Sequence, residues 1–287
     1  MSKFSRRDFL AGLAAAGAVS WVGRRAVAAP ARSKIRATDL VTLGKTGIQT
    51  SVLGIGTGTR GGSEQLQMGQ EPFTRLVRYA LDRGLRYIDT ADSYQMHTFV
   101  RLALQGVPRD RYFLQTKTTA KHPEVAKADI ERFRRELRID TLDTLLMHCM
   151  TKGSWPTDMR PVMDVLQEAK RKGRVRAVGI SCHGWDPLVA SVDCDWVDVQ
   201  LVRINPFGYA MDGKAEDVAA QIQKMHQTGR GILGMKIYGE GKCDTLEKRL
   251  QSLKFVLGLG AVHAFTIGFS SPAQIDETME LTEKATA

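Results

Sequence analysis

An α/β fold, a (β/α)8 or TIM barrel entered through a short N-terminal β-hairpin, is what this sequence predicts, and three observations predict it. Short apolar runs alternate with amphipathic segments eight times between Val52 and Phe269. The apolar runs are continuous rather than alternating, which suits strands of a parallel sheet covered on both faces. Several amphipathic segments close on basic residues and a glycine, as in LDRG, AKRKGR and HQTGR, the usual punctuation of a helix C-terminus. An open doubly wound sheet is the alternative. The glycines of GIGTGTRGG, Gly54 to Gly62, speak against it, because they do not run directly into a helical pattern.

The elements follow in order. VTLGKTGIQTS, Val41 to Ser51, carries the glycine-containing turn of a small hairpin. Barrel strands are expected at 52–58, 87–91, 112–117, 144–149, 175–181, 197–204, 231–237 and 264–269. Between them, Phe73, Leu76, Val77, Ala80 and Leu81 recur with helical period, as do Val162, Val165, Leu166 and Ala169, and then Val218, Ile222 and Met225.

The residues before the hairpin read as a leader. Lys3, the pair Arg6-Arg7 followed by Phe9-Leu10, an apolar stretch of small residues and the A-x-A site Ala26-Val27-Ala28 make a twin-arginine (Tat) signal peptide over 1–28, cut after Ala28. A flexible linker is expected over 29–37 and the barrel over 38–287. The expected partner is the Tat export machinery and the expected location the periplasm. A frayed amphipathic arm of a cytoplasmic protein is the alternative. The apolar stretch is too short and too rich in glycine and alanine to span a bilayer stably, and no later segment is long enough, so no stable membrane span is expected. Lys3, Arg6, Arg7, Arg24 and Arg25 against Asp8 take +4 of the formal +10 with the leader and leave +6. That is a mildly basic surface. No run of lysine and arginine interleaved with aromatics points to nucleic acid.

Cys149, Cys182, Cys194 and Cys243 have neither C-x-x-C nor metal-ligand spacing and read as small buried hydrophobes. His122, His183, His226 and His263 fall in loops or at element ends, where surface or structural roles are expected. No His/Asp/Glu pattern has metal spacing, so no metal is expected.

The chemistry concentrates at the strand ends, where a barrel of this kind carries its active site. Asp89 and Tyr94 follow the second barrel strand, Lys117 ends the third and His148 lies near the end of the fourth. A tyrosine of ordinary pKa near 10 is a poor proton donor at neutral pH, and an ammonium beside it favours the phenolate. Lys117 suits that place, Asp89 suits the holding of Lys117, and His148 suits the orienting of a carbonyl oxygen. Taken singly, each has a plainer reading: a structural ion pair for Asp89 and Lys117, a packing residue for Tyr94, a satisfied core histidine for His148.

GLRYIDTADSY, Gly84 to Tyr94, resembles the aldo-keto reductase signature, and Asp89, Tyr94, Lys117 and His148 fall on that superfamily's catalytic tetrad. The resemblance runs from LGKTGIQTSVLGIGTGT to AFTIGFSSPAQIDE. It implies a nicotinamide dinucleotide, NADP or NAD, across the ends of barrel strands five to eight. It also implies cofactor-side roles for Gly56, Thr57, Ser181, Cys182, Gln200, Arg203, Lys236, Ser270, Gln274, Glu277 and Thr278, and a substrate contact at Trp155. Four positions depart from the pattern. Cys182 stands where an asparagine usually meets the carboxamide, and a thiol cannot replace both groups of an amide. Arg203 stands where an aromatic usually stacks on the nicotinamide; a clamp for an anionic group or an internal salt bridge are its two readings. Phe269 and Gln274 replace the lysine and arginine that bind the 2′-phosphate in many relatives, which weakens the case for NADPH.

The implied function is an exported oxidoreductase that interconverts a small-molecule carbonyl and an alcohol, with Tyr94 as general acid/base and the cofactor loaded before export. Ala287 comes right after the last expected helix, so the long C-terminal loop that roofs the pocket in many relatives is not expected, and bulky or extended substrates, sugars included, suit the open pocket. A catalytically weak barrel serving as a ligand-binding or accessory subunit is the second reading. A cofactor-free isomerase or lyase with Lys117 as Schiff base is the third, and Asp89 opposes it by keeping the amine protonated.

Overall fold

The structure, a computed structural model, describes residues 34–287. The expected Tat leader and the start of the expected linker lie outside the described residues. Strands β1 (Leu40–Thr42) and β2 (Gln49–Ser51) pair antiparallel, with Leu40 opposite Ser51. The loop between them tucks Leu43 and Ile48 among Tyr87, Phe113 and Ala264, which begin three barrel strands. The hairpin therefore plugs the N-terminal mouth of the barrel. At the end of the expected linker, Ala37 is buried and its carbonyl accepts from the Leu53 amide at 2.9 Å, while the Ile35 amide donates to Thr286 Oγ1 at 2.9 Å.

Eight parallel strands close the barrel: β3 (Leu53–Gly56), β4 (Tyr87–Asp89), β5 (Phe113–Thr118), β6 (Leu142–Met150), β7 (Val175–Cys182), β8 (Val199–Arg203), β9 (Gly231–Met235) and β10 (Ala264–Ile267), with β10 pairing to both β9 and β3. The helices are α1 (Ser63–Met68), α2 (Gln70–Asp82), α3 (His97–Ala103), α4 (Pro123–Leu137), α5 (Trp155–Asp158), α6 (Arg160–Arg171), α7 (Trp185–Val192), α8 (Ala215–Gln227), α9 (Leu246–Gly258) and α10 (Pro272–Ala285). Every apolar position read as the inner stripe of α2 is buried, Phe73, Leu76, Val77, Ala80 and Leu81 alike. These side chains join the layer between sheet and helices, and a smaller cluster including Leu146, Val199, Leu201 and Leu233 fills the barrel interior. Each of the eight expected strands is present; β3, β4, β8, β9 and β10 are two or three residues shorter than expected, β5 has the expected length shifted by one residue, and β6 and β7 are longer.

Register places the site. Gly56 pairs with Asp89, Asp89 with Gln115, and Ile180 with Gln200, so the carboxyl ends of neighbouring strands rise together. On β6 the register shifts between Met147 and Met150, and Cys149 there has φ 61°. The bulge re-aims the strand end that carries His148. All four cysteines are unpaired, and no helix among the described residues is long and apolar enough to cross a membrane.

Candidate active site

Lys117 arrives from β5 with its side chain inside the barrel, 1 % exposed, and an ammonium there needs acceptors. Its Nζ donates to Asp89 Oδ1 at 2.6 Å and to the Thr90 carbonyl at 2.8 Å. Asp89 is steadied from below, because Gln115 Nε2 donates to the same Oδ1 at 2.7 Å and to the Tyr87 hydroxyl at 3.0 Å, while Thr144 donates to Gln115 Oε1. Burial opposes the charge on Lys117 more than any other single influence. Asp89 and Tyr94 together outweigh it, and the ammonium's pKa is raised.

Tyr94 closes the single 3-10 turn Asp92–Tyr94 that follows β4. The Lys117 Nζ stands 4.9 Å from its ring centroid, and its hydroxyl is 3.5 Å from His148 Nε2. The glycines of GIGTGTRGG, not expected to run directly into a helix, lead through a 3-10 turn at Thr59–Gly62 into α1, and two of them seat Tyr94. A Cβ on Gly58 would lie 2.5 Å from the Tyr94 ring and 2.8 Å from its hydroxyl, and one on Gly62 would lie 2.6 Å from its carbonyl. The loop after β3 is thus a bed for a tyrosine.

The pKa of Tyr94 differs from the sequence expectation. Burial raises it, Lys117 pulls it down and Asp89 adds to the rise; the net direction is upward. Desolvation of a phenolate outweighs the neighbouring ammonium, so the resting group is a phenol with its proton in place. His148 is held neutral, pushed down to about 3 by burial first and then by Lys117, His183 and Lys236. Its Nδ1 is 3.3 Å from Ser93 Oγ, a neighbour the sequence reading did not single out.

The expected cofactor side divides. Gln200 Nε2 donates to the buried Cys182 thiol at 3.5 Å, and Gln200 Oε1 is buried with no partner among the described residues. Ser181 Oγ accepts from the Cys149 amide at 2.9 Å, and burial pushes the Cys182 thiol up to about 12. Thr57 donates its amide to the Asp89 carbonyl at 2.9 Å and leaves Oγ1 unpartnered. Gly56 lies against β10, where a Cβ would meet Thr266 Oγ1 at 2.9 Å.

Other positions are spoken for. Of the two readings of Arg203, the internal salt bridge is the one found: its Nε donates to Asp212 Oδ1 at 3.0 Å, and Asp212 also takes the Gly184 amide at 2.7 Å. Lys236, expected on the cofactor side, is paired with Glu240. Glu277 is paired with Arg249 at 2.8 Å, and the hydroxyl of the buried Thr278 is 3.3 Å from that of Tyr238. Gln274 Oε1 accepts from the Ser270 amide at 2.8 Å, closing the start of α10 on itself. Trp155, expected to touch substrate, is 2 % exposed and donates its indole N–H to the Pro187 carbonyl at 3.1 Å. It is the first residue of α5, and that turn carries the ring into the core.

Sequence reading passed over His97, which is buried with Nδ1 2.7 Å from Glu136 Oε2 and Nε2 2.8 Å from Thr116 Oγ1. Asp92, His97 and Glu136 bring ligand atoms within 4.8 Å of one another, a grouping that the sequence spacing hides.

Comparison with known proteins bears on the family and the fold. Residues 52–254 match the model of the aldo/keto reductase family. The chain is 28% identical over 160 residues to the aldo-keto reductase YhdN of Bacillus subtilis, covering 50% of this chain and 46% of that protein. It is 28% identical over 138 residues to the methylglyoxal reductase DkgB of Salmonella typhi, covering 46% of this chain and 51% of that protein. It is 27% identical over 155 residues to the L-galactose dehydrogenase of Arabidopsis thaliana, covering 50% and 48%. The chain thus spans about half the length of these curated relatives. In fold it is similar to a solved chain from Pseudomonas aeruginosa described as an aldo-keto reductase, with TM-score 0.72 at 22% identity, covering 88% of this chain and 98% of that one. A closed barrel with this order of strands, and a family match over more than half the sequence, lead to one conclusion: the chain belongs to the aldo/keto reductase family.

Proposed function

We propose that the protein is a nicotinamide-dependent oxidoreductase that interconverts a carbonyl and an alcohol. The observation that carries the reading is the buried Lys117–Asp89 pair under the ring of Tyr94, with His148 at the phenol's edge. The site fits the nicotinamide end of a dinucleotide in one particular: Gln200 Oε1 is a buried acceptor without a donor, one residue type suited to a carboxamide N–H. Ser181, already an acceptor, keeps its own hydroxyl proton to donate. When bound, the dinucleotide supplies or accepts the hydride. Tyr94 Oη gives its proton to the carbonyl oxygen as that oxygen becomes an alkoxide. The phenolate left behind is stabilised by the Lys117 ammonium, and Asp89 keeps that ammonium charged and in place. His148, neutral and T-shaped to the Tyr94 ring, offers an imidazole to orient the same oxygen.

No lysine or arginine stands at Phe269 or Gln274, which supports NADH over NADPH. Small carbonyls and sugars head the substrate panel, since methylglyoxal and L-galactose appear in the names of relatives. Export by the Tat route to the periplasm rests on Arg6-Arg7 and Ala26-Val27-Ala28, and cell fractionation of an Arg6→Lys, Arg7→Lys variant tests it: retention inside the cell supports export, and unchanged distribution removes it.

The test of the activity is a fluorescence titration with NADH and NADPH followed by turnover of the panel, with Tyr94→Phe as control. A second reading, a barrel that binds a ligand without turning it over, is favoured by one observation, the Arg203–Asp212 pair at the place expected to hold a stacking aromatic. Dinucleotide binding without Tyr94-dependent turnover would select that reading.

A further inference from the structure

We propose that Arg132 is a positioning residue for Tyr94 and Lys117, acting from outside the barrel wall through one connected set of charge-assisted hydrogen bonds. This rests on the reading of Tyr94 as the proton donor. Side chains on a strand alternate between faces, so Lys117 points inward while its neighbours point outward, Thr116 to α3 and Thr118 to α4. Both neighbours are held. Thr118 Oγ1 donates to Asp129 Oδ2 at 2.6 Å, and Thr116 Oγ1 meets His97 Nε2 at 2.8 Å. His97 Nδ1 in turn meets Glu136 Oε2 at 2.7 Å. A carboxylate only accepts, so the Nδ1 carries the proton and Nε2 accepts from Thr116.

Arg132 joins these branches to the tyrosine turn. Its guanidinium spans both oxygens of Asp92 at 2.7 and 2.8 Å, donates to Asp129 Oδ1 at 2.7 Å and reaches Glu136 Oε1 at 3.1 Å. Asp92 begins the turn that Tyr94 ends. One side chain therefore fixes the start of that turn and, through Asp129 and the Glu136–His97 pair, the two residues on either side of Lys117. A planar fork with five donors is the group that can do this; an ammonium cannot span two carboxylate oxygens in the same way.

The same cluster has the ligand types of a metal site in Asp92, His97 and Glu136. The guanidinium already takes both Asp92 oxygens and one from Glu136, so the place of a cation is filled by the protein itself.

The test uses Arg132→Met, Arg132→Lys and, as a control for loss of an ion pair elsewhere, Arg83→Met, which breaks the exposed pair with Asp276. In the full chain, kcat with the carbonyl found in the panel should fall about tenfold or more in both Arg132 variants, with KM within about threefold, because small misplacement of a reacting group is costly in rate. Arg83→Met should retain kcat. Carbon-13 NMR of tyrosine labelled at Cζ, with Tyr94 identified by its loss in Tyr94→Phe, should show the Tyr94 titration moved upward by about half a unit or more, as the pull of Lys117 weakens. A merely structural role would leave that titration in place. If turnover depends on Tyr94 and both Arg132 variants keep kcat within about twofold, the positioning role is overturned. If no Tyr94-dependent turnover is found, the oxidoreductase reading fails, and the NMR titration alone decides: an unmoved Tyr94 overturns the proposal and a moved one supports it. Should Arg132→Met fail to fold, Arg132→Lys carries the same comparison, since it retains the charge and loses only the fork.

Discussion

The ammonium of Lys117 lies 2.6 Å from Asp89 Oδ1, and both side chains are shut away from solvent inside the barrel. A buried ion pair is weak evidence of stability in itself, yet breaking it leaves an uncompensated charge, at a cost of about 3–5 kcal/mol. Asp89→Leu is therefore expected to destabilise strongly, while the double variant Asp89→Leu, Lys117→Met recovers much of the loss. Equilibrium urea unfolding of the three proteins checks this. Recovery in the double variant is the outcome that separates charge burial from simple loss of packing.

Acid stability follows from His148. Its folded pKa is pushed down to about 3, against 6.5 for an ordinary histidine. Between those values the unfolded chain binds a proton that the folded protein refuses, so stability is full above about 6.5 and is lost as pH falls toward 3. His97, His183 and His263 are also lowered, by burial first, and act in the same sense. His148→Gln should remove from the slope of unfolding free energy against pH a share of up to about 1.4 kcal/mol per unit in that window. A slope unchanged between pH 4 and 6 would mean that His148 is solvated and titrates normally.

Gly58 is expected to be intolerant of a methyl group. Its φ of −104° suits any residue, so the obstacle is contact with the Tyr94 ring rather than backbone strain. Gly58→Ala should lower stability by about 1–3 kcal/mol. Its kcat should fall by a larger factor than its KM rises. The readouts are thermal unfolding and steady-state kinetics side by side.

Cofactor choice is open to a single substitution. Gln274→Arg places a cation near the first turn of α10, where Ser270 and Gln274 now bond each other. NADPH affinity should rise by roughly tenfold, corresponding to about 1–2 kcal/mol for a charge-assisted contact, with NADH little changed. Paired fluorescence titrations read the ratio directly.

The fold was legible because it is written in repeated, local patterns. Continuous apolar strands and the stripe Phe73, Leu76, Val77, Ala80 and Leu81 each carry their own period, and burial obeys it. The meeting of Asp89 with Lys117 was legible for a related reason: both end barrel strands, and a closed parallel sheet brings such ends to one mouth. What stayed hidden depends on pairing between residues nine or more positions apart. Nothing near Arg203 announces that Asp212 will claim it, and nothing near His97 announces Glu136 or Thr116. Trp155 misled because a tryptophan after a strand end reads as loop, whereas here it starts a helical turn and is buried. The sign of the Tyr94 shift was hidden too. It depends on how deeply the phenol is desolvated, which no spacing reports.

The most direct test is the kinetics of Tyr94→Phe, in protein first checked for folding and for binding of the proposed dinucleotide; the substitution deletes one hydroxyl and leaves the ring over Lys117. The account predicts unchanged dinucleotide affinity with kcat for carbonyl reduction lowered by about 10²-fold or more, the scale on which a positioned general acid contributes. Retention of wild-type kcat in that variant would contradict it, because the proton would then come from a group other than the phenol between Lys117 and His148.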